Sequence, residues 1–124
     1  MANAPDLWPA DIAETTMRTP ISILREQGRA LGDKTSQLVI GDVTTQTSGG
    51  KFYHSFNLRV STVDYTYQLF RVHHGVMLYP VTITWRNKAF EGPTEDEFLE
   101  LLRHIFNDET TKQIVKSLVA QGRG

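Results

Sequence analysis

Along the middle of this chain apolar residues recur every second position, and on either side they recur with a helical period. Phe52, His54, Phe56, Leu58 and Val60 share one face of a strand predicted over Phe52–Val60. Met77, Tyr79, Val81, Ile83 and Trp85 share one face of another, over Val76–Arg86. Between them, Tyr65, Tyr67 and Leu69 alternate and then Phe70 and Val72 take over, so a strand over Tyr65–His73 needs one extra residue, a β-bulge, at Leu69-Phe70. With that bulge Phe56 is expected opposite Leu69 and then Val81, and His54 opposite Phe70 and then Tyr79. A first strand over Ser36–Thr47 joins the second through the turn Ser48-Gly49-Gly50-Lys51, whose paired glycines accept positive φ. Ser61–Asp64 and His74-Gly75 supply the other turns. Pro80 has no N–H for a ladder, which predicts that the fourth strand is an edge.

Three helices flank this sheet. Thr19-Pro20 reads as N-cap and first helical residue, followed by a stripe of Ile21, Leu24, Gly28 and Leu31 widened by Ile23 and Ala30, with Gly32 as C-cap. After an Asn87-Lys88 turn and Gly92-Pro93, Thr94-Glu95-Asp96-Glu97 is a capping box leading into Phe98, Leu101, Leu102, Ile105 and Phe106. Asp108 caps a last helix with the stripe Ile114, Val115, Leu118 and Val119, ended by Gly122. Residues 1–18, broken by Pro5 and Pro9, read as an irregular arm that docks on the body through Leu7, Trp8 and Ile12. The expectation is a single α+β domain over 1–124: a four-stranded antiparallel meander with one N-terminal and two C-terminal helices packed on it. The last helix has three places to go: beside the second, across the other sheet face, or onto another copy. Pairing across Gly49-Gly50 leaves Leu38 and Ile40 on the outer face, so either Gly41-Asp42 is a second bulge or those residues are covered.

The chain has 124 residues and no cysteine, which removes disulfides, thiolate metal sites and cysteine nucleophiles. The start Met1-Ala2-Asn3-Ala4-Pro5-Asp6 lacks the basic and apolar runs of a secretory leader, and no stretch reaches the ~20 apolar residues of a membrane span. A soluble, cytoplasmic protein is expected. The net charge of -1 hides an asymmetry. Lys34–Phe90 holds six cations against two anions, whereas both flanking segments are acidic.

Candidate chemistry is sparse. His73 and His74 are neighbours on a strand and point to opposite faces, so they do not chelate, and the four histidines offer no third ligand at a metal-binding spacing. His54 among aromatics reads as a core histidine. His104, with Glu100 one turn earlier, reads as half of a surface pair. The acids Glu95, Asp96, Glu97 and Glu100 suit a helix N-terminus. No catalytic, cofactor or metal residues are assigned and no cofactor is expected.

The outer sheet face carries more. The bulge puts Tyr53, Arg71 and Leu78 in one row, with Lys51, His73 and Val76 in the next, so one end of the face is amphipathic and basic. Such residue types are enriched at protein contacts. The candidate binding surface is Lys51, Tyr53, Arg59, Arg71, His73, Leu78 and Arg86. The function expected is non-enzymatic: a binding, adaptor or regulatory protein, working as a homo-oligomer, in particular a homodimer, or with another protein. The alternatives are single-stranded nucleic-acid binding on the basic face, and an enzyme with a pocket between sheet and helices using His54 with Tyr67 or Tyr79.

Overall fold

The computed structural model describes residues 4–124, so the first three residues of the expected arm lie outside the described residues. Its elements run α1 (Pro20–Lys34), β1 (Val39–Ser48), β2 (Lys51–Val60), β3 (Tyr65–His74), β4 (Val81–Trp85), β5 (Lys88–Gly92), α2 (Glu95–Phe106) and α3 (Glu109–Arg123). The strands form one antiparallel sheet in chain order. This is the expected α+β meander with one helix before it and two after, enlarged by a fifth strand.

The bulge is present and its residue is Leu69. Phe56 pairs with Phe70 and Asn57 with Gln68, which leaves Leu69 over. Leu69 and Phe70 are therefore both buried, and beyond them Val72 and His74 keep to the core face. The expected partners change accordingly: His54 lies opposite Val72 rather than Phe70, and Tyr53 opposite His73 rather than Arg71.

The fourth strand departs further. It is Val81–Trp85 and not Val76–Arg86, because residues 75–80 form a loop instead of a tight turn. Val76, Met77 and Tyr79 had continued the alternation in sequence, yet Val76 and Met77 stand in solvent. Arg71 thus pairs with Thr84, and Leu78 is not in the ladder. The turn after Trp85 is Arg86-Asn87, with φ of 53° and 63°, and it returns the chain as β5. β4 is therefore flanked on both sides, and Pro80 sits just before it, outside the ladder, where its missing N–H costs nothing.

All three helices pack on one face. Phe56, Leu58, Val72, Ile83 and Trp85 from the sheet meet Ile23 and Leu24 of α1 and Phe98, Leu102 and Ile105 of α2 in one core. Phe56 and Trp85 thus share a face, as the alternation requires. α1 reaches backbone contact with β1 where Gly28 crosses Gly41. It continues past Gly32 to Lys34 and is capped at Thr35, so Gly32 is interior rather than a cap. α2 starts as expected, with the Thr94 hydroxyl accepting from the Glu97 N–H at 3.2 Å. α3 takes the first of its three possible places, beside α2, and its stripe of Ile114, Val115, Leu118 and Val119 is only half-buried. There is no second bulge at Gly41-Asp42, since the β1–β2 ladder is continuous. Leu38 is covered instead, close to where α3 ends at Gly122. β1 begins at Val39, after Ser36 and Gln37 turn the chain with φ of 53° and 66°. Among the described residues no helix is long and apolar enough to cross a membrane.

The arm does not dock. Residues 4–18 are exposed throughout, and Leu7, Trp8, Ile12 and Met17 are 62–86% accessible. Among the described residues the arm is tied down at its root. Arg18 pairs with Glu26 at 2.5 Å, and the Tyr79 hydroxyl donates to the Arg18 carbonyl at 3.1 Å.

Candidate functional site

The core face is not fully tiled by its helices. α1 is drawn to the β1 edge by the Gly28–Gly41 crossing, and Phe98 holds α2 against Val81 and Gly92 at the other side. Between them, above the bulge, lies a recess of about 510 Å³. Phe56, Leu58 and Leu69 floor it, and Leu31, Leu99, Phe106 and Val115 wall it. The bulge turns two successive residues, Leu69 and Phe70, toward the helices, and of these Leu69 lines the recess. This volume lies in the range of sites that enclose a drug-sized ligand.

The recess has a charge of one sign. Its charged lining residues are Lys34, Arg103, Lys112 and Lys116, from all three helices, with no carboxylate among them. Arg103 pairs with Glu100, and Lys112 with Glu109 at 2.9 Å, each one turn away on its own helix. Such exposed pairs are weak and exchange easily with a better anion. Lys34 and Lys116 pair with no described residue. Apolar walls beneath a cationic rim suit a ligand with an apolar body and a negative charge.

A second feature is a buried chain of hydrogen bonds. His54 and His74 are 2% and 5% exposed, and their Nε2 atoms are 2.9 Å apart. His74 Nδ1 lies 2.7 Å from the Gly75 carbonyl, which only accepts, so that nitrogen carries the proton. In the neutral ring His74 Nε2 then accepts from His54 Nε2–H, and His54 Nδ1 accepts from the Thr45 hydroxyl at 2.9 Å. Burial, then His74 and Arg25, lower the His54 pKa to about 4. The Phe52 ring stacks on His74 at 5.3 Å and covers the outer end. Both His54 nitrogens are thus engaged by protein atoms. His54 lines neither the recess nor a second, more polar cavity of about 320 Å³ near Tyr67, Arg71 and Arg86. Tyr67 lines that second cavity, and Tyr79 is committed to the arm root, its phenol pushed up to about 12 by burial and Glu95.

The structure gathers only part of the expected outer surface. Tyr53, Arg71 and His73 cluster: the Arg71 guanidinium lies 5.6 Å from the Tyr53 ring centre and the His73 ring 5.4 Å from it. Lys51 is close enough, together with burial, to lower the His73 pKa. Arg59 is far along β2 and faces Asp42 at 3.8 Å. Arg86 is in the last hairpin turn, over Trp85 and 3.5 Å from Asp108. Leu78 lies in the loop before β4. His104 does not pair with Glu100, which Arg103 takes; its ring meets the edge of Trp85 instead.

Sequence reasoning missed two features: the recess and the coupling of His54 to His74. The coupling was within reach. Placing the bulge at Leu69 puts Phe70, Val72 and His74 on the core face and brings His74 diagonal to His54. A pocket between sheet and helices was expected only near His54; the recess above the bulge had no such signal, because its rim joins α1 to α2 and α3, which follow the whole sheet in sequence. Compared with known proteins, the chain matches no family model, no curated protein and no solved structure.

Proposed function

We propose that this chain is a non-enzymatic binding protein, of adaptor or regulatory kind, that acts as a homodimer and uses the recess above the Leu69 bulge as its binding surface. The observation that carries this reading is the pairing of an apolar floor with a rim whose charges are all positive. Concave, mostly apolar pockets with a few polar or charged groups are where proteins ordinarily take ligands. The engaged nitrogens of His54 weigh against the enzyme reading. The separation of Arg59 and Arg86 from the Tyr53 cluster weighs against a continuous track for a nucleic-acid strand, which needs cations and aromatics in file.

Titration with 8-anilinonaphthalene-1-sulfonate, an aromatic sulfonate, tests the recess. Its emission is expected to rise and saturate at one dye per chain. Lys34→Glu with Lys116→Glu is expected to weaken binding about tenfold, as removal of two rim charges near an anion should. Thermal unfolding of the double variant checks that the fold persists. Equal affinity of both proteins, or no emission change, would refute the assignment.

A further inference from the structure

We propose that the recess of each chain is filled, in the homodimer, by the arm of a second copy, residues 6–17. The proposal rests on the recess being the binding surface. The arm has the chemistry the recess asks for. Leu7, Trp8, Ile12 and Met17 are four of the nine exposed large apolar residues among the described residues, and no described residue buries them. Asp6, Asp11 and Glu14 are the arm's charges, and no cation occurs before Arg18. An acidic amphipathic segment thus coexists with an apolar recess rimmed by Lys34, Arg103, Lys112 and Lys116. Trp8 is of the residue type that most often anchors an interface.

The arm is also partly shaped in advance. The Ile12 N–H donates to the Pro9 carbonyl at 3.2 Å and the Glu14 N–H to the Asp11 carbonyl at 2.9 Å, so that residues 9–14 form two overlapping turns. Pro5 and Pro9 restrict the remaining backbone, which lowers the entropy lost on docking.

None of the arm's described residues lines its own recess. Thr19 is extended, with φ −73° and ψ 148°, at the start of α1. The recess is lined by Gln27, Ala30, Leu31 and Lys34, two to four turns further along that helix, or about 10–20 Å. The Arg18–Glu26 pair and the Tyr79 hydrogen bond fix the chain at that point. Insertion into a second copy leaves both contacts in place. Exchange of two arms between two recesses closes a twofold dimer and leaves no open end. It also makes the arm a competitor of any outside ligand, so a ligand that fills the recess releases the partner.

The test uses the full chain and light scattering across a concentration series. The expected mass is 28.2 kDa, twice the 14.1 kDa of one chain. Leu7→Ser, Trp8→Ser and Ile12→Ser together are expected to weaken dimerisation at least about 100-fold, since such anchors dominate association. These side chains are exposed, so folding is unaffected, and the arm variant is expected to bind the sulfonate dye more tightly than the unaltered chain. Mixing the arm variant with Lys34→Glu/Lys116→Glu is expected to restore a two-chain species through the one intact arm and one intact recess. A single-chain mass at every concentration, a dimer unaffected by the arm substitutions, or growth beyond two chains would overturn the arm exchange. If the dye still binds and the rim substitutions still weaken it, the recess remains the binding surface and only its occupant is wrong. If the dye does not bind either, both readings fall.

Discussion

Gly28→Ala is expected to destabilise the fold by about 3 kcal/mol. In an exposed helix interior the same change stabilises by about 1 kcal/mol, because alanine has the best helix propensity. Here the sign reverses. A Cβ on Gly28 lands on the carbonyl group of Gly41, and a Cβ on Gly41 meets Gly28 and the Phe56 ring. Backbone stands against backbone, so no side chain can swing aside. α1 must lift from β1, which loosens the packing of Ile23 and Leu24, both fully buried. Gly41→Ala is expected to cost as much. Urea unfolding gives the answer directly, as a lower midpoint at unchanged slope. A neutral or stabilising Gly28→Ala would show that the helix does not sit on the strand as described. The two glycines also set the recess, since their contact holds α1 at the β1 edge and away from α2.

Acid is expected to remove about 3 kcal/mol of stability through His54 alone. Its pKa is about 4 in the fold against 6.5 for an unperturbed imidazole. The group is therefore neutral when folded and takes up a proton more readily when unfolded. Below pH 6.5 the unfolded state binds the extra proton, so stability is complete above 6.5 and is lost progressively as pH falls toward 4. At about 1.36 kcal/mol per pH unit the loss is of the stated size. Burial, then the groups that face His54, explain the direction. His74 opposes it from β3 and Arg25 lies toward it from α1, while Thr45 on β1 offers only a neutral hydroxyl. A proton added at His54 Nδ1 requires only that the Thr45 hydroxyl turn to accept, and the His54-to-His74 hydrogen bond keeps its direction. Stability measured at a series of pH values in the unaltered chain and in His54→Phe isolates this contribution, because the carboxylates are common to both. Parallel curves would contradict it.

Much of the sheet was legible because two-residue alternation is strict. When Tyr65, Tyr67 and Leu69 gave way to Phe70 and Val72, only an inserted residue could keep both sets on the core, and the structure has it at Leu69. What failed did so for local reasons. Val76, Met77 and Leu78 carry strand-like residues but form a loop, and Lys88–Gly92 has one large apolar side chain, Phe90, too little to announce a strand. The Gly49-Gly50 turn was readable, whereas Arg86-Asn87, which adopts the same left-handed conformation without glycine, was read one residue late, as Asn87-Lys88, and not as a hairpin. The arm's composition was visible, but residues such as Leu7 and Trp8 normally mark a docked segment. Only coordinates show them unburied.

The most direct measurement uses the absence of cysteine from the chain. Ala13→Cys gives a single attachment point for a nitroxide in the middle of the arm. That labelled protein, without isotopes, is mixed with a second sample carrying 13C-methyl groups. Arm exchange predicts broadening of the Leu31, Leu99 and Val115 methyl signals in the isotopically labelled copy, and its disappearance when Lys34→Glu and Lys116→Glu are introduced there. Broadening confined to other methyls, or none at concentrations where the protein is dimeric, would contradict the account.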